Sequence, residues 1–202
     1  MSREVLARLL CFGLICAAAA TARAQGFSAD LFDLSVKPPV SMGKVYAKGD
    51  KVRVERADTG SEGARPIVIV DLAKHEATIL DGNSHAYIQT DLGPEAGISF
   101  FHLSDANNAC AELDKMAKML GSCKKAGNET VDGRNTMKYQ GTTDDGKDII
   151  VWADPEVHYV IKWQGKDGDM GEMRNIKVED QAASLFEVPS NYHKMGEPAT
   201  QK

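Results

Sequence analysis

Short segments of alternating apolar and polar residues, cut apart by tight-turn signals, dominate this chain. Gly49-Asp50, Asp81-Gly82-Asn83, Asp132-Gly133 and Asp145-Gly146 punctuate these segments. Period-two alternation is the signature of a strand with one buried face, and dipeptides of this kind supply the positive φ that hairpin turns need. A run of such hairpins builds an antiparallel sheet whose neighbours in sequence are neighbours in space.

The turns set the register. A two-residue loop at Gly49-Asp50 puts Lys48 opposite Lys51, Ala47 opposite Val52, Tyr46 opposite Arg53 and Val45 opposite Val54, with Lys44 meeting Glu55. One face then carries Val45, Ala47, Val52 and Val54. The same arithmetic across Gly82-Asn83 sets Ala77 against Ile88 and Ile79 against Ala86. Before that hairpin, Ile67-Val68-Ile69-Val70 reads as a strand buried on both faces. Further strands are expected at Ser28–Val36, Thr136–Gln140, Lys147–Trp152, Val157–Gln164, Met173–Val178 and Leu185–Val188, with Trp152 facing Tyr159 and Ile150 facing Ile161. The fold class is mainly β (α+β): roughly ten strands in a half-open antiparallel β-barrel with a helical lid insert.

That insert is Leu103–Leu120, where Leu103, Ala106, Cys110, Leu113, Ala117 and Leu120 recur at helical spacing, with Ser104 or Asp105 to cap it and Gly121 to end it. It competes with a second expectation. Cys110 and Cys123 are the two cysteines left beyond the N-terminal segment, and in an oxidising compartment such a pair forms a disulfide; a buried free pair or a redox dithiol are the alternatives. An unbroken helix to Leu120 rises about 1.5 Å per residue, which carries the chain out of reach of the Cα separation of about 7 Å that a disulfide tolerates. If the bridge forms, the helix must break near Lys115.

Residues 1–24 read as a cleaved signal peptide: Arg3 and Arg8, the apolar run Leu9–Ala20, then Ala22-Arg23-Ala24. The run is shorter than the roughly 20 residues of a membrane-spanning helix, and neither Cys11 nor Cys16 follows a small residue as lipid attachment requires. A secreted protein of the bacterial periplasm is expected, with no stable membrane anchor in the mature chain: one β domain over residues 25–195 and a polar tail over 196–202. Loss of the leader takes two positive charges from a formal net of −5. An acidic surface without a basic block excludes nucleic acid as a partner class.

Catalytic and metal signatures are missing. His75, His85, His102, His158 and His193 show no ligand-like pairing, and no nucleophile elbow or phosphate loop occurs. Asp144, Asp145 and Asp148 fall at a hairpin tip, and Asp167-Gly168-Asp169 lacks the rest of a calcium loop. No catalytic residue, metal or cofactor is expected. Met116, Met119, Met137, Met170 and Met173 could serve as an adaptable lining or as core.

Gly43 to Arg53 (GKVYAKGDKVR), Val70 to Glu76 (VDLAKHE), Glu129 to Arg134 (ETVDGR) leading into Lys138-Tyr139, and Leu185 to Pro189 (LFEVP) followed by Tyr192 together resemble the periplasmic lipoprotein-carrier (LolA-like) superfamily, nearest to its exported domains of uncharacterised role. The resemblance implies a half-open barrel whose helices cover an apolar concavity that shelters acyl chains. It implies a non-enzymatic protein that binds a lipid, acyl chain or lipoprotein. The residues expected to line the concavity are Val45, Ala47, Val52 and Val54 from the first hairpin, Ile79 and Ile88 from the second, and Ile150, Trp152, Tyr159 and Ile161 from the third. The alternative is a module with a closed core that joins an envelope protein partner through an outer face or sheet edge.

Overall fold

The computed structural model describes residues 26–57, 66–92, 102–116, 121–143, 146–165 and 167–196. The expected signal peptide and the end of the tail lie outside them, as do Met119 and the Asp144-Asp145 pair. The strands are β1 (Gly26–Asp33), β2 (Val40–Lys48), β3 (Lys51–Arg56), β4 (Ile67–Asp71), β5 (Glu76–Asp81), β6 (Ala86–Asp91), β7 (Lys124–Val131), β8 (Arg134–Thr142), β9 (Asp148–Asp154), β10 (Tyr159–Gln164), β11 (Met170–Val178) and β12 (His193–Lys194). A helix, α1 (Cys110–Met116), precedes β7, and a single 3-10 turn spans Ala183–Phe186.

All these strands belong to one 12-stranded sheet in the order β12-β6-β5-β4-β3-β2-β1-β11-β10-β9-β8-β7. Two meanders, β1–β6 and β7–β11, are zipped together where β1 meets β11, and every pairing is antiparallel except β12 on β6. The mainly β, antiparallel architecture is as expected; the sheet ends at β12 and β7 and does not close on itself, so of the expected half-open barrel it shows one open sheet. It is nevertheless strongly bent. Tyr159 on β10 donates its hydroxyl to the Gly49 carbonyl in the β2–β3 turn. In a flat sheet those strands would stand about 14 Å apart, at roughly 4.8 Å per strand.

The first hairpin has the register expected of it: Lys44↔Glu55, Val45↔Val54, Tyr46↔Arg53, Ala47↔Val52 and Lys48↔Lys51. The second does not. Ile79 pairs with Ile88 and Ala77 with Thr90, because the loop is four residues long, Gly82–His85. Asp81 at its start accepts from Asn83 N (2.9 Å) and from Ser84 Oγ (2.7 Å), and His85 at its end takes φ 49°. The third hairpin repeats the device. Asp154 accepts from Glu156 N (2.8 Å), His158 has φ 59°, and Tyr159 therefore pairs with Asp154 rather than Trp152. A register shift between Val160 and Lys162 then sets Trp152 against Lys162 and Ile150 against Gln164.

Two more expectations fail. Leu185–Val188 is not a strand; its first two residues end the 3-10 turn, and Phe186 from that turn packs with Ile69 and Leu80 on the sheet's outer face. The strands β7 and β12 are additions that alternation does not announce. The described helix is Cys110–Met116 and starts later than the repeat implies, since Leu103 and Ala106 belong to the non-helical lead into it; the expected end, Ala117–Leu120, lies outside the described residues. Cys110 and Cys123 are bonded, with Cα atoms 5.4 Å apart. The conflict between bridge and long helix is thus resolved for the bridge.

Candidate functional site: the inner face of the sheet

Alternation along β1–β3 and β8–β11 sends Phe27, Ala29, Leu31, Val45, Ala47, Val52, Tyr139, Val151, Trp163 and Met173 to one side, and all belong to one buried cluster. The segment 102–113 is seated on that inner face. His102 forms a single bridge to Tyr159, Leu103 N donates to His158 O (2.8 Å), and Leu103, Ala106, Ala109 and Leu113 are fully buried. Tyr139 fixes the segment from below: its hydroxyl donates to Ala106 O (3.0 Å) and accepts from Ala109 N (3.2 Å). Burial raises the Tyr139 phenol's pKa, and that of Tyr159 more strongly, so both remain neutral donors. His102 Nδ1 lies 2.9 Å from Asp50 Oδ1, tying the start of the segment to the β2–β3 turn.

Toward β6 the inner face opens. Val45, Val54, Val68, Ile79 and Ile88 form one cross-strand row in register over five strands. Val45 is completely buried and Val54 is 8% exposed; Val68 and Ile79 are half-buried, and Ile88 is 41% exposed. The row thus passes from core to solvent without a polar residue. An apolar step of this kind on a sheet face can take an aliphatic chain end-on, adding contact to side chains already packed on one side.

Of the ten residues expected to line a cleft, Val45, Ala47, Val52, Val54, Tyr159 and Ile161 lie in the inner cluster. Ile79 and Ile88 form the open end of the row. Ile150 and Trp152 stand on the other face by alternation from Val151 and Ala153, although the buried Trp152 is contiguous with the cluster. Ile150 forms part of a groove of about 300 Å³ with Ser122, Gln140, Thr142 and Asp148. Trp152 belongs to an outer row, Lys138–Trp152–Lys162–Glu172–Phe32, again in register. Lys138 and Lys162 place their ammonium groups 4.9 and 5.0 Å from its ring centroid. The indole Nε1 is buried and closes no well-formed hydrogen bond, yet it lies near the Glu129 carboxylate. That approach, with the hydrogen bond from Lys138, holds Glu129 below the ordinary carboxylate range. Lysine on both flanks of Trp152 follows only from the loop length together with the bulge after Val160, and the sequence does not announce the bulge.

No cluster of three or more His, Cys, Asp or Glu able to hold a metal occurs among the described residues. No described helix is long and apolar enough to cross a membrane.

The chain matches no known family model and no curated protein at the level of sequence. Solved structures do match. An uncharacterized conserved protein from Thermus thermophilus superposes with a TM-score of 0.52 at 10% identity, over 85% of this chain and 90% of that one. PNGF-II gives 0.51 at 13% identity, over 85% of this chain but 31% of its own. The MucA/MucB complex of Pseudomonas aeruginosa gives 0.50 at 12% identity, over 84% of this chain and 57% of the matched one. The chain spans under two-thirds of the last two. At such identities the likeness is one of fold alone.

Proposed function

We propose that this is an exported, non-enzymatic binding protein of the bacterial envelope that holds a lipid, an acyl chain or the lipid of a lipoprotein on the open part of its inner face. The observation that carries the reading is the unbroken apolar row from Val54 to Ile88, which goes from buried to exposed with no polar residue along it. The leader-like residues 1–24 and the Cys110–Cys123 bond both suit an oxidising compartment outside the cytoplasm. Val45, Ala47, Val52, Tyr159 and Ile161 then form the floor behind the site rather than its walls, and Ile79 and Ile88 are the contact residues.

A second reading has its own support. Segment 102–113 fills the inner face over β1–β3 and β8–β11, as a closed core would require, and one fold neighbour was solved as a complex with a protein. On that reading the protein is an interaction module. A fluorescent fatty acid titrated into wild type and into Ile79→Asp and Ile88→Asp separates the two. The binding reading expects saturable uptake that weakens about tenfold or more in each variant, since about 1.4 kcal/mol of lost apolar contact has that effect. Absence of saturable uptake by wild type, or equal uptake by the variants, would favour the interaction module.

A further inference from the structure

A different part of the molecule has an exposed apolar surface that neither reading uses. From Ser35 to Met42, in the connection from β1 into β2, every residue is exposed. Val36, Val40 and Met42 are 45%, 52% and 38% exposed, three of the five large apolar residues so exposed among the described ones. Pro38 and Pro39 lie between them and restrict the backbone, so little conformational freedom is left to lose on contact. Both ends of the turn are tied down: Leu34 N donates to Met170 O (2.8 Å), Met170 N to Ser35 Oγ (3.1 Å) and Ser35 to Asp33, while Val40 and Ser41 pair with Asp33 and Phe32 on β1 and Met42 O accepts from Ala57 N (2.9 Å). The shape is a turn with apolar side chains around it, not a groove that could receive a protein segment.

The segment itself carries only positive charge. The chain carries a formal net of −5, yet no Asp or Glu occurs from Leu34 to Gly49, where Lys37, Lys44 and Lys48 stand. Lys44 and Lys48 face Asp30 and Asp180, at 3.8 and 2.6 Å, whereas Lys37 makes no ion pair among the described residues. Arg56, opposite Gly43, adds a second exposed cation at the same end. Carboxylates stand at the base of the turn as well: Asp33 lies opposite Val40 and is kept ionised by its hydrogen bonds from Ser35, and Asp169 precedes Met170.

From this we infer that the Val36–Met42 turn is a membrane-docking element that inserts its apolar side chains at the interface of an anionic phospholipid bilayer, with Lys37 at the level of the headgroups. Apolar side chains flanked by a cation bind such interfaces through buried area and attraction to anionic lipid together. The position adds to the case. Gly43↔Arg56, Glu55↔Ile67, Ile67↔Leu80 and Leu80↔Tyr87 place this turn at the same end of the sheet as Ile88, about 19 Å away at roughly 4.8 Å per strand. The inference does not rest on ligand binding, since an empty protein would dock equally.

Flotation with vesicles tests it. Protein purified from a bacterial periplasm is mixed with vesicles of equimolar phosphatidylglycerol and phosphatidylcholine, and separately with phosphatidylcholine alone. The proposal expects wild type to float with the anionic vesicles. It expects partition to fall about tenfold or more in Val36→Ser/Val40→Ser/Met42→Ser and to fall in Lys37→Glu on anionic vesicles alone. Ile88→Asp should float as wild type does, whatever it does to fatty-acid uptake. Because the altered residues are exposed, the thermal midpoint should be unchanged, and Val40→Trp should shift its fluorescence to the blue on anionic vesicles. Wild type that ignores anionic vesicles, or a triple variant that floats equally well, overturns the proposal. So does a triple variant whose only loss is of a captured protein.

Discussion

Three of the loops share one spelling, Asp-x-x-x-His: Asp71–His75, Asp81–His85 and Asp154–His158. In each the aspartate accepts from backbone N–H groups inside the loop and the histidine adopts a positive φ, 54°, 49° and 59°. Histidine tolerates that region better than β-branched residues. His158→Val is therefore expected to cost about 1–2 kcal/mol, while His158→Gly should stay near wild type, as chemical denaturation would show. Asp154→Ala should cost more than either, because Asp154 is buried and also holds Arg134. The sequence signal for these loops is present in triplicate, but Gly82-Asn83 reads as a two-residue turn when seen alone. The resulting pairing error is two residues, which keeps each side chain on its correct face. That is why Ile79 and Ile88 are grouped correctly with a wrong register. At the third hairpin the four-residue loop combines with a bulge, and Trp152 and Ile150 end on the other face. Glu112 gives a residue-scale test with pH. Burial works against its ionisation, but hydrogen bonds from Ser104 Oγ (2.6 Å) and Ser104 N (3.1 Å) outweigh it, so its pKa is lowered. A carboxyl with a depressed folded pKa contributes stability that is present above its unfolded pKa and lost as pH falls through the folded one. Stability should thus decline on acidification below the ordinary carboxylate range of about 4.5, and Glu112→Gln should flatten that part of the decline in a pH series of thermal melts.

At the scale of elements, what the sequence discloses depends on burial. Strands with a buried face alternate and are legible. β7 (KKAGNETV) is exposed at every position but Val131, so it has no apolar pattern to read, and its lysines suit an edge that must not pair further. β12 is two residues long and exists only through its partner β6. The expected helix starts too early because Leu103 and Ala106 are buried at helical spacing by the cover they provide, not by a helix. The Cys110–Cys123 bond joins α1 to the start of β7 with a sequence separation of 13. Cys110→Ser/Cys123→Ser should lower stability by about 3 kcal/mol in denaturant. Close packing elsewhere fixes one glycine. A Cβ at Gly171 would fall 2.0 Å from Trp163 Cζ2, inside a neighbour pair that β10 and β11 hold in register. Gly171→Ala should therefore cost about 2 kcal/mol or more, since the buried indole has nowhere to move.

Seen as one molecule, the protein is two meanders whose union at β1–β11 makes a single bent sheet with two unlike faces. The outer face is organised by charge and aromatic rows and by the chain end, where Arg53 Nη1 donates to Leu185 O (3.0 Å) and Lys48 Nζ to Gln181 O (2.8 Å). Among the described residues the inner face is fully buried over one part and increasingly exposed over another. That division is not readable from alternation, which marks a face as apolar without saying what lies on it. The central claim is that the part-exposed row Val68–Ile79–Ile88 holds lipid. Native mass spectrometry with organic extraction, on protein taken from a periplasm, tests it most directly. The account predicts a co-purifying lipid or acylated peptide that is released on denaturation and diminished in Ile79→Asp/Ile88→Asp. A clean, ligand-free mass over repeated preparations, from wild type and variant alike, would contradict it.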